Sequence, residues 1–217
     1  MKDIIHFRLA ISTDKPAVLE FLREHYFPYE TLTYSIEPKK QDSGAEEDMT
    51  NCVDVADRFC LLALYENQIV GARSLLTKGP DAEQVLLKKA SEIPWSQYAK
   101  VLKILAKVER DANVFKKFNN FKLALHGNGL AVHKDFRGNG IGLKLYEKSM
   151  QIGKALGYSL FTCDCTSIYS ARLCELMGME CTNVCKMEDY RLPGSDEQFI
   201  FPPAHQKYIK TYAKVVQ

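Results

Sequence analysis

The strongest constraint on the fold is Leu130-Ala-Val-His-Lys-Asp-Phe-Arg-Gly-Asn-Gly-Ile-Gly142, a glycine-rich turn between an apolar stretch and a helical pattern. Leu130, Ala131 and Val132 read as the end of a strand. Leu143, Leu145, Tyr146, Met150, Ile152 and Leu156 recur at roughly helical spacing, with Gly157 placed to cap the helix. Gly138, Gly140 and Gly142 leave the backbone bare where that helix begins, so its unpaired N–H groups and positive dipole end can meet an anion. A diphosphate suits such a place. The dinucleotide fingerprint fails, because its third glycine must come three places after the second and Gly142 comes two after Gly140. The phosphate loop of nucleotide triphosphatases fails too, since no Gly-Lys-Ser/Thr follows Gly138 at the right distance.

A chain of 217 residues, 46% hydrophobic and 26% charged, describes one globular domain over residues 1–217 with enough apolar surface for a sizeable core. The formal net charge of +2 comes from dispersed Lys and Arg, so no basic stripe argues for nucleic acid and no acidic tail for a histone-like partner. The seven cysteines show no paired Cys-x-x-Cys and read mostly as small, reduced core residues; no metal site is expected from them. The start, Met1-Lys-Asp-Ile-Ile-His6, lacks a secretory apolar core and no apolar run is long enough to span a bilayer. The expectation is a cytoplasmic monomer with small-molecule partners and no membrane.

In chain order, Ile4 to Ile11 reads as a strand and Thr13-Asp14-Lys15-Pro16 as the start of a helix carrying Val18, Leu19, Phe21, Leu22 and Tyr26. Pro28 stops that helix and leaves Glu30 among aromatics. Lys39 to Asp54 is polar and reads as an exposed connection. Arg58 to Tyr65 and Ile69 to Leu76 read as a hairpin around Glu66-Asn67-Gln68. Asp81 to Phe118 reads as two helices interrupted at Ile93-Pro94-Trp95. After the glycine loop and its helix, Tyr158 to Asp164 is a strand, Ser167 to Met177 a helix, and Met179 to Tyr190 a strand; Tyr208 to Val216 reads as a final edge strand. This order describes a three-layer α/β fold with a mixed sheet.

Arg137-Gly138-Asn139-Gly140-Ile141-Gly142 matches Arg/Gln-x-x-Gly-x-Gly/Ala and resembles the acetyl-CoA pyrophosphate loop of the Gcn5-related N-acetyltransferases. The resemblance covers nearly the whole chain and extends to Ser170-Ala-Arg-Leu-Cys-Glu-Leu-Met-Gly-Met179, similar to that family's fourth helix. Within the family, Glu30-Thr-Leu32, Cys165-Thr-Ser-Ile-Tyr-Ser-Ala-Arg172 and Pro202-Pro-Ala-His205 look like segments of the insect arylalkylamine N-acetyltransferases. The resemblance implies a three-layer α/β/α fold with a central mixed, mostly antiparallel sheet. It implies direct transfer of acetyl from acetyl-CoA to dopamine, tyramine, octopamine, serotonin or a similar amine, with polyamine acetylation or CoA binding without turnover as alternatives. It places Leu130, Ala131 and Val132, with the loop residues 137–142, on the cosubstrate.

Aminolysis of a thioester needs a neutral amine, a polarised carbonyl and a proton for the departing thiolate. By resemblance Glu30 is the base, and backbone N–H groups near Leu130 and Val132 meet the carbonyl. Many relatives carry a Tyr where this chain has Cys174, so another proton donor is needed; Ser170 is the first choice, with Thr166, Ser167 and Tyr169 open. Tyr26, Phe27, Tyr29, Tyr169, Phe199 and Phe201 are the expected amine-side residues. A regular strand would put His126, Asn128, Leu130 and Val132 on one face, which makes His126 a second candidate for moving protons.

Overall fold

A computed structural model describes residues 5–36, 53, 58–93 and 96–216. Strands are β1 (His6–Leu9), β2 (Arg58–Tyr65), β3 (Gln68–Lys78), β4 (Ala124–Val132), β5 (Leu160–Cys165), β6 (Glu180–Lys186) and β7 (Tyr208–Val215). Helices are α1 (Lys15–His25), α2 (Thr31–Ser35), α3 (Ala82–Glu92), α4 (Gln97–Ala112), α5 (Val114–Lys117), α6 (Ile141–Ala155) and α7 (Ile168–Leu176). The exposed connection expected over 39–54 and the break at Pro94-Trp95 fall on residues that, apart from Val53, lie outside the described ones.

The strands form one sheet in the order β1-β2-β3-β4-β5-β7-β6, antiparallel throughout except for the parallel pair β4 and β5. The β2–β3 turn uses Glu66 and Asn67 at positive φ, the conformation that matches the right-handed twist of a tight hairpin. Alternation along β2 then divides the core. Cys60 and Leu62 pack with Val18, Phe21 and Leu22 of α1, while Leu61 and Ala63 pack with Ile141 and Leu145 of α6. The stripe Val101, Ile104 and Val108 of α4 covers Ile209 of β7 on the α1 side, and Tyr146, Met150, Ala171 and Cys174 cover Phe161 and Tyr212 on the other. Burial of each large apolar side chain contributes about 1.5–3 kcal/mol, and these two layers of helices clamp the sheet into the expected α/β/α sandwich.

Three expectations need correction. Tyr208–Val215 is not an edge strand: it is inserted between β5 and β6, with Ile209, Thr211, Tyr212 and Ala213 buried, and β6 takes the edge. The strand expected over Met179 to Tyr190 ends at Lys186, where Met187–Asp189 turns as a short 3-10 helix. His126, Asn128, Leu130 and Val132 do not share a face. A bulge lets Ser74 and Leu75 pair with Gly129 and Gly127, leaving Asn128 as the extra residue. One extra residue inverts the alternation, so His126 and Asn128 face the α4 side while Leu130 and Val132 face α6 and come near Gly142.

Candidate active site

A cavity of about 320 Å³ opens on the α4 side of the sheet, between β4, β5, α3 and α4. Its apolar lining is mostly aliphatic, from Leu76, Val85, Leu86, Val101, Leu102 and Leu105, with Tyr26, Phe27 and Tyr98 as its aromatics. Polar atoms enter it from Glu30, Lys78, Glu109, His126, Asn128, Asp164 and Thr166.

Glu30 is held by local structure. It precedes α2 with an extended backbone, and its carboxylate accepts from Leu32 N at 3.1 Å and Thr33 N at 2.7 Å, which satisfies two amides the short helix cannot pair internally. Thr166 Oγ1 donates to Glu30 Oε1 at 2.8 Å and ties that cap to the end of β5. Pro28, in the 3-10 turn Phe27–Tyr29, ends α1 and sets up this arrangement. The base candidate is therefore fixed between two backbone donors and one hydroxyl at the cavity wall.

Deeper in the cavity, Lys78 of β3 is hydrogen-bonded to Glu109 of α4 and lies 3.5 Å from Asp164 Oδ2 of β5. Thr211 of β7 donates to Asp164 Oδ1 at 2.7 Å. His126 of β4 shares a 2.9 Å hydrogen bond with Thr162 through Nδ1 and turns Nε2 toward Asp164 Oδ2 at 3.7 Å. Burial pushes the Glu109 carboxyl up to about 8, reinforced by the charge of Asp164 and opposed by Lys78. Burial and Lys78 push His126 down to about 4, so it is neutral around pH 7. Burial alone would raise Asp164, but Lys78 outweighs it and holds that carboxylate below its ordinary range. Glu109, His126 and Asp164 bring donor atoms together as metal ligands do, and the Lys78 ammonium pairs with both carboxylates.

The side on which the cosubstrate is expected is where β4 and β5 part. They pair only from Leu125 to Gly127 and from Phe161 to Cys163, so β4 continues through Leu130, Ala131 and Val132 with no β5 partner among the described residues. Gly138 and Gly140 take φ of 80° and 76°, conformations that disfavour a side chain, and a Cβ at either would meet nothing within 4 Å. Gly140 leads directly into α6. Gly142 plays another part: a Cβ there would lie 3.2 Å from Leu173 Cδ1, so it sets the approach of α7. Arg137 donates through Nε to Val132 O at 3.1 Å and lies 5.3 Å from the Tyr29 ring, and Asn139 donates to Phe136 O at 3.3 Å.

Ser167 caps α7, accepting from Ser170 N at 3.2 Å, and the two hydroxyls are 3.0 Å apart. Of the aromatics expected on the amine, the cavity lining includes Tyr26 and Phe27. It does not include the others. Phe199 is buried in the core with Leu32, Ile36 and Ile209, and Tyr29, Tyr169 and Phe201 are exposed. Sequence reasoning missed Tyr98, Lys78, Glu109 and Asp164. It also missed Arg73, which is buried on the opposite face with its guanidinium 3.3 Å from the centre of the Tyr146 ring, beside Cys163. The cysteines are mostly core as expected, with Cys165 Sγ 3.5 Å from Cys174 Sγ, although Cys181 is exposed.

A model of the acetyltransferase (GNAT) family matches residues 19–179. The structure is similar to Drosophila melanogaster polyamine N-acetyltransferase, described as forming N-acetylagmatine, at 29% identity and a TM-score of 0.90 over 98% of this chain and 100% of that one. An agmatine N-acetyltransferase variant without ligand gives 28% and 0.89 over 98% and 99%. A mosquito arylalkylamine N-acetyltransferase-like protein gives 27% and 0.91 over 98% and 100%. The matched stretch runs from within α1 through the parted strands and the glycine loop to the end of α7, so the chain belongs to the acetyltransferase (GNAT) family.

Proposed function

We propose that this protein transfers acetyl from acetyl-CoA to the primary amine of a small amine held in the cavity beside Glu30. The observation that carries the reading is the placement of the Glu30 carboxylate, fixed by Leu32 N, Thr33 N and Thr166 Oγ1 at the wall of a cavity on one side of the sheet's parting strands. The amine nitrogen attacks the thioester carbonyl, a C–N bond forms as the C–S bond breaks, and the amine proton passes to Glu30 directly or through water. Backbone N–H groups of β4 beyond Gly127 stabilise the oxyanion, and a hydroxyl at the start of α7, Ser170 first, returns a proton to the thiolate. The glycine loop holds the diphosphate against the N-terminus of α6.

Two substrate classes compete. Tyr26, Phe27 and Tyr98 favour an arylalkylamine such as tyramine or dopamine. The carboxylates of Asp81, Glu109 and Asp164, in addition to Glu30, favour a polyamine or agmatine. The test is release of free CoA thiol from acetyl-CoA with aryl, aliphatic and peptidyl amines in parallel. Turnover confined to small amines supports the reading, and acetylation of peptide amines alone overturns it.

A further inference from the structure

With every carboxyl ionised, the charged groups among the described residues of the cavity do not balance. Glu30, Asp81, Glu109 and Asp164 bring carboxylates from the segment before α2, the start of α3, α4 and β5, whereas Arg58 of β2, Lys78 of β3 and Lys89 of α3 are its cations. With every carboxyl ionised that is four against three among the described lining residues, with His126 of β4 neutral; around pH 7 Glu109 still holds a proton and the count is three against three. The imbalance concentrates at the buried end. Glu109 and Asp164 share the single ammonium of Lys78, and the side chains of all three are at least nine-tenths out of solvent, at 9%, 6% and 7% exposure. Asp164 Oδ2 has Lys78 at 3.5 Å, the long limit of a hydrogen bond, and His126 at 3.7 Å, beyond it, while Asp164 also accepts from the Glu109 carboxyl as long as that group keeps its proton. Thr211 satisfies only the other oxygen. Once Glu109 gives up its proton, a buried carboxylate pair is left with one cation, an incomplete ion cluster that faces the cavity.

We propose that Glu109 and Asp164 form a second cation subsite at the buried end of the amine cavity, so that the preferred substrates are aliphatic amines carrying a second ammonium or guanidinium group. The inference rests on the acetyl-transfer reading and names the substrate class of that site. Its length scale follows from β5. Thr166, which holds Glu30, comes two residues after Asp164, and both line the cavity, so the reacting nitrogen and the second charge are held roughly 7 Å apart along the wall. An alkyl spacer of about four carbons bridges that span, and the aliphatic lining from Leu76, Val101, Leu102 and Leu105 suits its methylenes.

The upward shift of Glu109 gives the subsite a pH signature. Below about 8 the carboxyl is protonated in the empty site, and the second cation must displace that proton on binding. Above it the carboxylate is already charged.

The test compares putrescine with n-butylamine, which match in carbon chain and differ by one ammonium. In the wild type, kcat/KM for putrescine should exceed that for n-butylamine by roughly 10- to 100-fold, the value of a charge-assisted contact. The ratio should grow as pH rises through about 8 and then level. Glu109→Gln should bring the ratio to near unity and remove its pH dependence while n-butylamine is still turned over. Equal losses for both amines in a variant that melts like the wild type would overturn the proposal. So would a wild-type ratio near unity at every pH, a result that needs no variant to fold. Failure of the wild type to acetylate any small amine would overturn the acetyl-transfer reading itself and this subsite with it.

Discussion

The two sides of the parted strands are built from opposite materials. On the α6 side, the glycine loop presents backbone: Gly138 and Gly140 are open to solvent at positive φ, and Arg137 and Asn139 spend side-chain hydrogen bonds on Val132 O and Phe136 O. On the α4 side, the cavity presents titratable side chains gathered from five segments of the chain, Glu30, Lys78, Glu109, His126 and Asp164. Backbone donors do not titrate, so the loop should grip its anion alike across ordinary pH. The cavity should not. Its charges are set by burial and by one another, which makes the cavity the side where pH acts.

The largest effect expected from breaking this contrast is at Glu30. Glu30→Gln keeps the size of the side chain and one acceptor but removes the base. A primary amine has a pKa of about 10 by analogy with lysine, so near pH 7 only about one molecule in a thousand is neutral. Turnover should fall by roughly 10²- to 10⁴-fold, and the deficit should shrink as pH approaches the amine's own pKa. Because the carboxylate also caps α2, the same variant should lose about 1 kcal/mol of stability, read separately by thermal melting. Wild-type turnover at pH 7 would exclude Glu30 as the base.

A second consequence concerns stability. The folded state holds His126 neutral down to about 4, whereas an unfolded His takes up its proton near 6.5. The stabilisation is complete above 6.5 and is lost as pH falls through about 4, on the order of 3 kcal/mol in all. His126→Asn, which leaves a polar partner for Thr162, should flatten the melting temperature across that window. An unchanged acid limb would show that the histidine is not the group responsible.

On the loop side the effect should be smaller and independent of pH. Gly140→Val places a β-branched side chain at φ 76°, at a strain of about 1–2 kcal/mol, while its Cβ meets no atom within 4 Å. The fold should survive and the acetyl-CoA dissociation constant should rise roughly 10- to 100-fold, as bare amides lose their approach to the diphosphate. Titration calorimetry at two pH values checks both the loss and its constancy. An unchanged dissociation constant would take the diphosphate away from this loop.

What was legible in the sequence follows the same division. A backbone that must take positive φ or approach a ligand closely announces itself as glycine, so the loop and α6 could be read from Gly138, Gly140 and the apolar spacing that follows. Side-chain clusters announce nothing. Lys78 ends a strand and Glu109 sits on an amphipathic helix, each as a surface charge would, and only the strand order brings them to Asp164. Glu30 emerged through resemblance rather than spacing. The bulge at Asn128 depends on register against Ser74 and Leu75, and the insertion of β7 beside β5 depends on pairing across 47 residues between Asp164 and Thr211, neither of which has a local signal.

The smallest expected effect is at the hydroxyl that would protonate the departing thiolate. A thiol of pKa about 8.5 leaves readily near neutrality, so an acid there is worth less than the base on the amine. Ser170 Oγ donates to Ser167 O at 3.0 Å, on the first turn of α7, and that bond would have to be exchanged for one to the thiolate during turnover. Ser170→Ala should therefore lower kcat by about tenfold with little change in the amine KM, since the contact matters in the transition state and not in binding. A purely structural serine would instead lower the melting temperature and leave kcat alone, because its hydroxyl bonds Ser167 O and lies 3.0 Å from the Ser167 hydroxyl. Unchanged kcat would pass the role to Ser167 or Thr166. Thr166 already spends its proton on Glu30, so its loss should also loosen the Glu30 cap of α2 and lower the melting temperature, which separates the two.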